Sequence, residues 1–272
     1  MTTKKKKIIL ITGASSGIGK QIAEFLSSKG HVVYGASRNP QENTLFHAIK
    51  MDITDEISVR KAISSILEKE KTIDVLINNA GFGLSGSVED TSMNEIRHQF
   101  ETNFFGTVTV TKEVLPFMRQ NGSGLIITIS SMAGVISLPH QAFYSASKFA
   151  LEGYTEALRL EVRSHGVNVV NILPGDFSTN FTANRKFSEQ SQKSTSPYIK
   201  SFQKTIDIYM RDEKRGPKPF VIAELVNKII DTRRPKSRYL VGGIVQKIGV
   251  FLKRILPGSL WEKIMISNYH ID

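Results

Sequence analysis

The sequence predicts an α/β fold: a doubly wound, mainly parallel seven-stranded sheet with helices on both faces. Three observations lead to it. Short apolar runs alternate with stretches whose apolar residues fall at helical spacing, the alternation that strand–helix–strand units require. The first run, Ile8–Ile11, feeds a glycine-rich turn and then a helix. The 272 residues are enough for one large core. Residues 1–272 are therefore expected to form a single domain, with 180–219 as a lid over the substrate and 244–272 as a C-terminal extension.

The turn after the first strand is Thr12-Gly13-Ala14-Ser15-Ser16-Gly17-Ile18-Gly19, and Ile22, Ala23, Phe25 and Leu26 then mark a helix over Lys20–Ser28. Glycines let the chain bend sharply and let a pyrophosphate approach the amides, while a helix N-terminus supplies donors and partial positive charge. The spacing G-x-x-x-G-x-G in this setting favours a dinucleotide site over a purely structural turn. A second strand, His31–Ala36, ends in Ser37-Arg38-Asn39. An acid here would hydrogen-bond a free ribose 2′-hydroxyl; an arginine without an acid suits a 2′-phosphate.

Phe46–Met51 reads as the third strand and ends at Asp52, which could accept from an adenine amino group or only close the turn. Thr54 or Asp55 caps a helix reaching Glu70. Ile73–Ile77 is a buried fourth strand, followed by Asn78-Asn79-Ala80-Gly81 at the edge where open α/β sheets bind ligands. Helical patterning covers about Met93 to Gln120, with Asn103 in its middle as either a structural tie or part of the site. Leu125–Ile129 is the fifth strand, and a helix from Ala142 to Ser164 leads to a sixth, Asn168–Leu173.

Composition narrows the function. There is no cysteine, hence no disulfide framework or thiolate chemistry. The N-terminal apolar run is too short for a signal peptide, and no run approaches the roughly 18 residues of a membrane span. A cytoplasmic protein is expected. Of the net charge of +11, +5 lies in residues 182–219 and +6 in 233–272, while the rest is neutral. A basic surface can meet nucleic acid, membranes or anionic ligands, but no nucleic-acid module accompanies it. Nucleic acid is not expected as a partner. His31, His47, His98 and His140 lack metal-ligand spacing, and no metal is expected.

Tyr144 and Lys148, four residues apart, share one face of a helix, and Ser131 stands at the preceding strand's end. A cation beside a phenol favours the phenolate and moves its pKa from roughly 10 toward neutrality. Such a group can pass a proton to or from an alcohol or carbonyl oxygen, with Ser131 on the same oxygen.

Together these stretches resemble the short-chain dehydrogenase/reductase family, nicotinamide-dependent oxidoreductases on a Rossmann-type sheet. TGASSGIG (12–19), NNAG (78–81), NFFG (103–106), SSMAG (130–134) with YSASK (144–148), and PGDFST (174–179) occur in the family's order. The resemblance implies Tyr144 as general acid/base and Lys148 as the group that lowers its pKa and holds the nicotinamide ribose. It implies Ser131 on the substrate oxygen and Asn103 holding a relay water. Gly13, Ser15, Gly17, Ile18 and Gly19 would line the pyrophosphate turn, with Asp52 at the adenine, Asn79 near the cofactor and Thr179 at the nicotinamide amide. Arg38 resembles the branch preferring NADP (NADPH) to NAD. The implied reaction interconverts a carbonyl and an alcohol on a small, apolar substrate, most similar to hydroxysteroid- and retinol-dehydrogenase-like members. A non-catalytic dinucleotide sensor on the same fold is the alternative, though it has no need of the Ser131, Tyr144 and Lys148 set.

Beyond the sixth strand the chain departs from the family pattern. Ser196-Pro197 opens a helix with Tyr198, Phe202, Ile206 and Tyr209 on one stripe. Val135, Leu138, Phe143, Phe177 and Phe181 are expected to give the pocket loops an apolar lining. Phe220–Ile230 is a helix and Arg238–Val241 the seventh strand. The tail, 244–265, mixes large aliphatics with Lys247, Lys253, Arg254 and Lys263. It can pack on its own domain, enter a subunit interface or lie on an anionic membrane. Pro257-Gly258 would break a surface helix into two marginal pieces. Packing on protein, a homo-oligomer and at most peripheral membrane contact are expected.

Overall fold

The computed structural model describes residues 6–178 and 184–271. Seven strands form a fully parallel sheet: β1 (Ile8–Thr12), β2 (Val32–Ser37), β3 (His47–Lys50), β4 (Val75–Asn78), β6 (Gly124–Ile129), β7 (Val167–Pro174) and β9 (Arg238–Val241). Their order across the sheet is β3-β2-β1-β4-β6-β7-β9. The direction of crossing reverses beside β1, so the loops after β1 and β4 part to opposite sides and leave a crevice at the C-terminal edge.

Because strand side chains alternate, both faces carry apolar residues and both are covered. Ile9, Ile11, Ile77 and Ile127 face α1 (Gly17–Ser28) and α7 (Phe220–Ile230), meeting Ile22, Leu26, Ile222 and Val226. Leu10, Leu76 and Ile126 face the other way. There they meet Ile63 and Ile66 of α2 (Glu56–Glu70), Val110 and Val114 of α4 (Gly106–Gln120), and Leu158 of α5 (Ala142–Glu161).

The helical stretch 93–120 is continuous but not uniform. Between α3 (Met93–Phe100) and α4 it widens into one π-helical turn, Glu101–Phe105. That turn carries Asn103, which is fully buried. Its Oδ1 accepts from Phe82 N (3.0 Å), and its Nδ2 donates to Phe82 O (3.0 Å) and Ser147 Oγ (3.2 Å). Buried Gln99 also holds this loop, donating to Phe82 O (3.0 Å) and accepting from Leu84 N (2.8 Å). A π-turn places such side chains where a regular helix could not.

A second, two-stranded sheet joins β5 (Leu84–Ser85) to β8 (Lys186–Phe187). Two-residue strands carry no periodic signal, and sequence reading does not find them. The helix after Ser196-Pro197 is α6 (Ile199–Arg215); Phe202, Ile206 and Tyr209 are buried as the stripe predicts, whereas Tyr198 stands just before the helix and is exposed. Phe177 differs from expectation: it is buried in the core beneath α7 rather than lining the pocket. It follows the sheet edge directly, so the nearest apolar surface available to it is the core. The tail forms α8 (Ile244–Ile255) and α9 (Gly258–Tyr269), broken at Pro257. Val250 packs with Met132 and Leu173, Trp261 is buried, and the Tyr269 ring lies 5.3 Å from that of Tyr209.

Asn103→Ala should lower unfolding free energy by about 2–4 kcal/mol, because the Phe82 amide and carbonyl lose buried partners. Urea unfolding followed by fluorescence measures it; a loss under about 0.5 kcal/mol would contradict the tie.

Candidate active site

The crevice is built from strand ends. Gly13 and Gly17 take left-handed φ values of +68° and +56°, which glycine adopts without strain. A Cβ on Gly13 would come within 2.8 Å of Ala80 Cα, while one on Gly17 would meet nothing within 4 Å, so the turn is open outward there. Gly19 is closed: a Cβ would lie 2.3 Å from Asn79 Nδ2 and 2.4 Å from the Gly13 carbonyl oxygen. Asn79 fastens the turn from below. Its Nδ2 donates to the carbonyls of Thr12 (2.9 Å) and Gly13 (3.1 Å), and its own amide donates to Thr12 Oγ1 (2.9 Å). Ser16, the N-cap of α1, makes no side-chain capping bond, and the first turn holds no acid. That leaves an N-terminus of the kind anions occupy. Ser15 is exposed and Ile18 leans into the core.

Arg38 is exposed just beyond β2. Asp52 closes its own turn, with Oδ1 accepting from Thr54 N (3.0 Å) and Thr54 Oγ1 (2.8 Å). Burial pushes its carboxyl up, but these bonds and then Arg38 outweigh it and hold the carboxyl below its usual range. Of the two sequence readings for Asp52, the turn-closing one is visible. Thr179 and Phe181 lie outside the described residues.

Ser131, Tyr144 and Lys148 are brought together on the far wall. Ser131 caps a short 3₁₀ turn, Met132–Gly134, by accepting from Ala133 N (3.0 Å), and it shares a hydrogen bond with the Tyr144 phenol. Tyr144 and Lys148 are both buried. Lys148 Nζ donates to the Ile129 carbonyl at the end of β6 (3.1 Å) and sits 5.9 Å from the centre of the Tyr144 ring. A Cβ on Gly81 would lie 3.0 Å from Asn103 Oδ1 and 3.8 Å from Lys148 Nζ. The end of β4 thus reaches the same place.

The electrostatics differ from the sequence expectation. Burial pushes the Tyr144 phenol up to about 12, against the opposing pull of the Ser131 bond and Arg185, with Glu213 and Asp176 pushing further upward. Desolvation is the largest influence on the phenol, so it is not brought toward neutrality here. The ammonium itself is lowered to about 8 by burial, opposed by the Glu152 carboxylate. Tyr144 therefore stands as a protonated acid.

Three groups escaped sequence reading. Glu152, one turn after Lys148, is buried and accepts from Asn171 Nδ2 (2.9 Å), Arg238 Nε (2.9 Å) and Arg238 Nη2 (2.8 Å). Its i+4 spacing from Lys148 was a usable signal. A cavity of about 170 Å³ between Glu152, Asn171 and Arg238 lies on this side, away from the phenol. The second group, the buried Arg185–Glu213 ion pair, joins residues 28 apart and had no local signal. The third is Asp176, whose carboxyl is raised to about 6 by burial, then by Glu213 and Asp212. His140 takes φ +54° and faces the Phe202 ring edge-on at 5.6 Å. Among the described residues no three metal-ligating side chains cluster.

The model of the short chain dehydrogenase family matches residues 7–190. A 3-ketodihydrosphingosine reductase of Bacteroides thetaiotaomicron is 45% identical over 266 residues, spanning 97% of this chain and 98% of that protein. An uncharacterised oxidoreductase of Bacillus subtilis, YusZ, is 33% identical over 96% of this chain and 97% of its own length. Among solved structures, a short-chain dehydrogenase from Streptomyces avermitilis superposes with a TM-score of 0.82 at 31% identity, covering 97% of this chain and 99% of that one. The nucleotide-binding sheet, the ordered motifs and these full-length likenesses place the chain in the short-chain dehydrogenase/reductase family of oxidoreductases.

Proposed function

We propose that this protein is an NADPH-dependent reductase of a long-chain aliphatic ketone, of the 3-ketodihydrosphingosine type. The observation that carries the reading is the 45% identity to a reductase of that compound along nearly the whole of both chains. Two features of the site agree with it. The phenol is held protonated, about 12, which suits a group that donates to a carbonyl oxygen. Beside the loop that leads to Tyr144, Leu138, Phe187, Ile199, Phe202 and Ile206 form an apolar cluster, surroundings compatible with an alkyl chain.

The open glycine turn, the uncapped N-terminus of α1 and the approach of Gly81 to Lys148 fit a nicotinamide dinucleotide. When bound, such a cofactor supplies the hydride. The chain's own residues do the rest. Ser131 donates to the substrate oxygen and orients it beside Tyr144. Tyr144 gives that oxygen its proton. The phenolate that remains is stabilised by the Lys148 ammonium, and Glu152 keeps that ammonium charged. Arg38, exposed just beyond β2, would pair with a 2′-phosphate there. The segment 180–219, which includes α6, acts as the lid.

Purified enzyme should oxidise NADPH with 3-ketodihydrosphingosine faster than with steroid or retinoid carbonyls, and Tyr144→Phe should cut turnover by roughly 10²–10⁴. Equal rates across that panel would overturn the substrate class, and undiminished turnover in the variant would overturn the mechanism. Arg38→Asp should weaken NADPH at least tenfold more than NADH, the size of about 1.4 kcal/mol; fluorescence titration of both cofactors decides it. Glu152→Gln removes the carboxylate that opposes the downward shift of Lys148. The ammonium, at about 8 in the folded protein, should then lose its proton at lower pH. The alkaline limb of kcat/KM should move to lower pH, with activity at pH 8 falling roughly threefold or more. A limb left in place would show that Glu152 is only a structural tie.

A further inference from the structure

The helix α8 has two apolar faces, and only one is used inside the protein. The inner face brings Val250 against Met132 and Leu173, and Gln246 reaches Asp176 with a side-chain hydrogen bond. On the outer face stand Ile244, Ile248, Phe251 and Ile255. Their spacing of four, three and four residues keeps them in one row along the helix. They are 71%, 49%, 61% and 59% exposed, and Val245 beside them is 77% exposed. In α9, Leu260 and Ile264 are likewise exposed. Scattered exposed aliphatics are ordinary, but an ordered row of this length marks a surface that meets something.

Charge identifies what it meets. Lys247 and Arg254 each follow a stripe residue by three positions, so both flank the stripe along one edge. Residues 233–272 together carry +6. We propose that this outer face docks the protein on the surface of an anionic lipid bilayer, with the stripe in the acyl boundary and the basic edge among the headgroups. A second copy of the chain is the weaker fit, because a two-fold pairing would press one cationic surface against itself. The break at Pro257 is no obstacle. Val250, Trp261 and Tyr269 hold the two short helices against the protein, so they need not fold on the membrane. The same tail contributes Tyr269 to the cluster around Phe202, Ile206 and Tyr209. Docking therefore sets that cluster close to the lipid. The inference stands apart from the substrate reading, since binding is measured without turnover.

The test is co-sedimentation of the full-length protein with vesicles of phosphatidylcholine alone or mixed equally with phosphatidylglycerol, at low and high salt. Binding to the anionic vesicles, weakened by salt, is expected. Ile248→Glu with Phe251→Glu should reduce it by about tenfold or more, leaving cofactor binding and thermal unfolding unchanged. Lys247→Gln with Arg254→Gln should reduce it by about 25-fold, a factor of about five for each cation at an anionic surface. Three results would overturn the proposal. One is wild-type protein left in the supernatant, another is stripe variants that sediment like wild type, and the third is equal binding to neutral vesicles. Sedimentation velocity adds one more: a dimer abolished by the stripe variants would give the face to a second copy.

Discussion

A charged lysine held out of water is the constraint around which this molecule is arranged. Desolvation disfavours the ammonium by an amount that only directed partners can offset. Lys148 has the Ile129 carbonyl at 3.1 Å, the Tyr144 ring with its centre 5.9 Å away, and the Glu152 carboxylate one turn on. Each partner is tied in turn. Ile129 ends the central strand β6, and Glu152 is fixed by Asn171 on β7 and Arg238 on β9. The ammonium thus draws together α5 and three neighbouring strands. The phenol beside it inherits the same dry surroundings, which is why it stays protonated.

The sheet and most of the site were legible because their signals are local. A strand, three glycines and a helix in sequence announce the turn at 12–19, and a four-residue spacing announces Tyr144 with Lys148. The parallel sheet followed from apolar runs that are buried on both faces. What stayed hidden depends on pairings at long range. Arg185 meets Glu213 across 28 positions, and Leu84 pairs with Lys186 across still more; neither partner's neighbours hint at the other. Asn103 shows the middle case. Its burial in a helix was a visible anomaly, but its partner, the backbone of Phe82, could not be named without the fold. The pKa of Tyr144 failed for a different reason. Sequence reveals the neighbouring cation but not the burial, and burial is the larger influence.

The tail connects the periphery to the chemistry. Gln246 touches Asp176 just past β7, and Tyr269 covers Tyr209, whose hydroxyl donates to the Pro139 carbonyl (2.9 Å) in the loop before Tyr144. Contacts made by the last thirty or so residues therefore reach the loop that leads into Tyr144. The core that these residues cover is small, and Val250 and Trp261 are its main buried members. The tail is held by few side chains, which makes it the part of the fold most easily shifted by whatever meets its outer face.

The position of β9 at the sheet's edge has a consequence for how the protein is made. Its Arg238 completes the bonding of Glu152, yet it is synthesised more than eighty residues after that carboxylate. While the ribosome is still working through α6 and α7, the nascent chain can assemble β1 to β7 with the lysine enclosed and its counter-ion network still open. Intermediates at that stage expose the unpaired edge of β7, the feature that makes partly made parallel sheets prone to association. Completion of the site and protection of the sheet edge are thus one late event, and a chain halted before residue 238 would lack both.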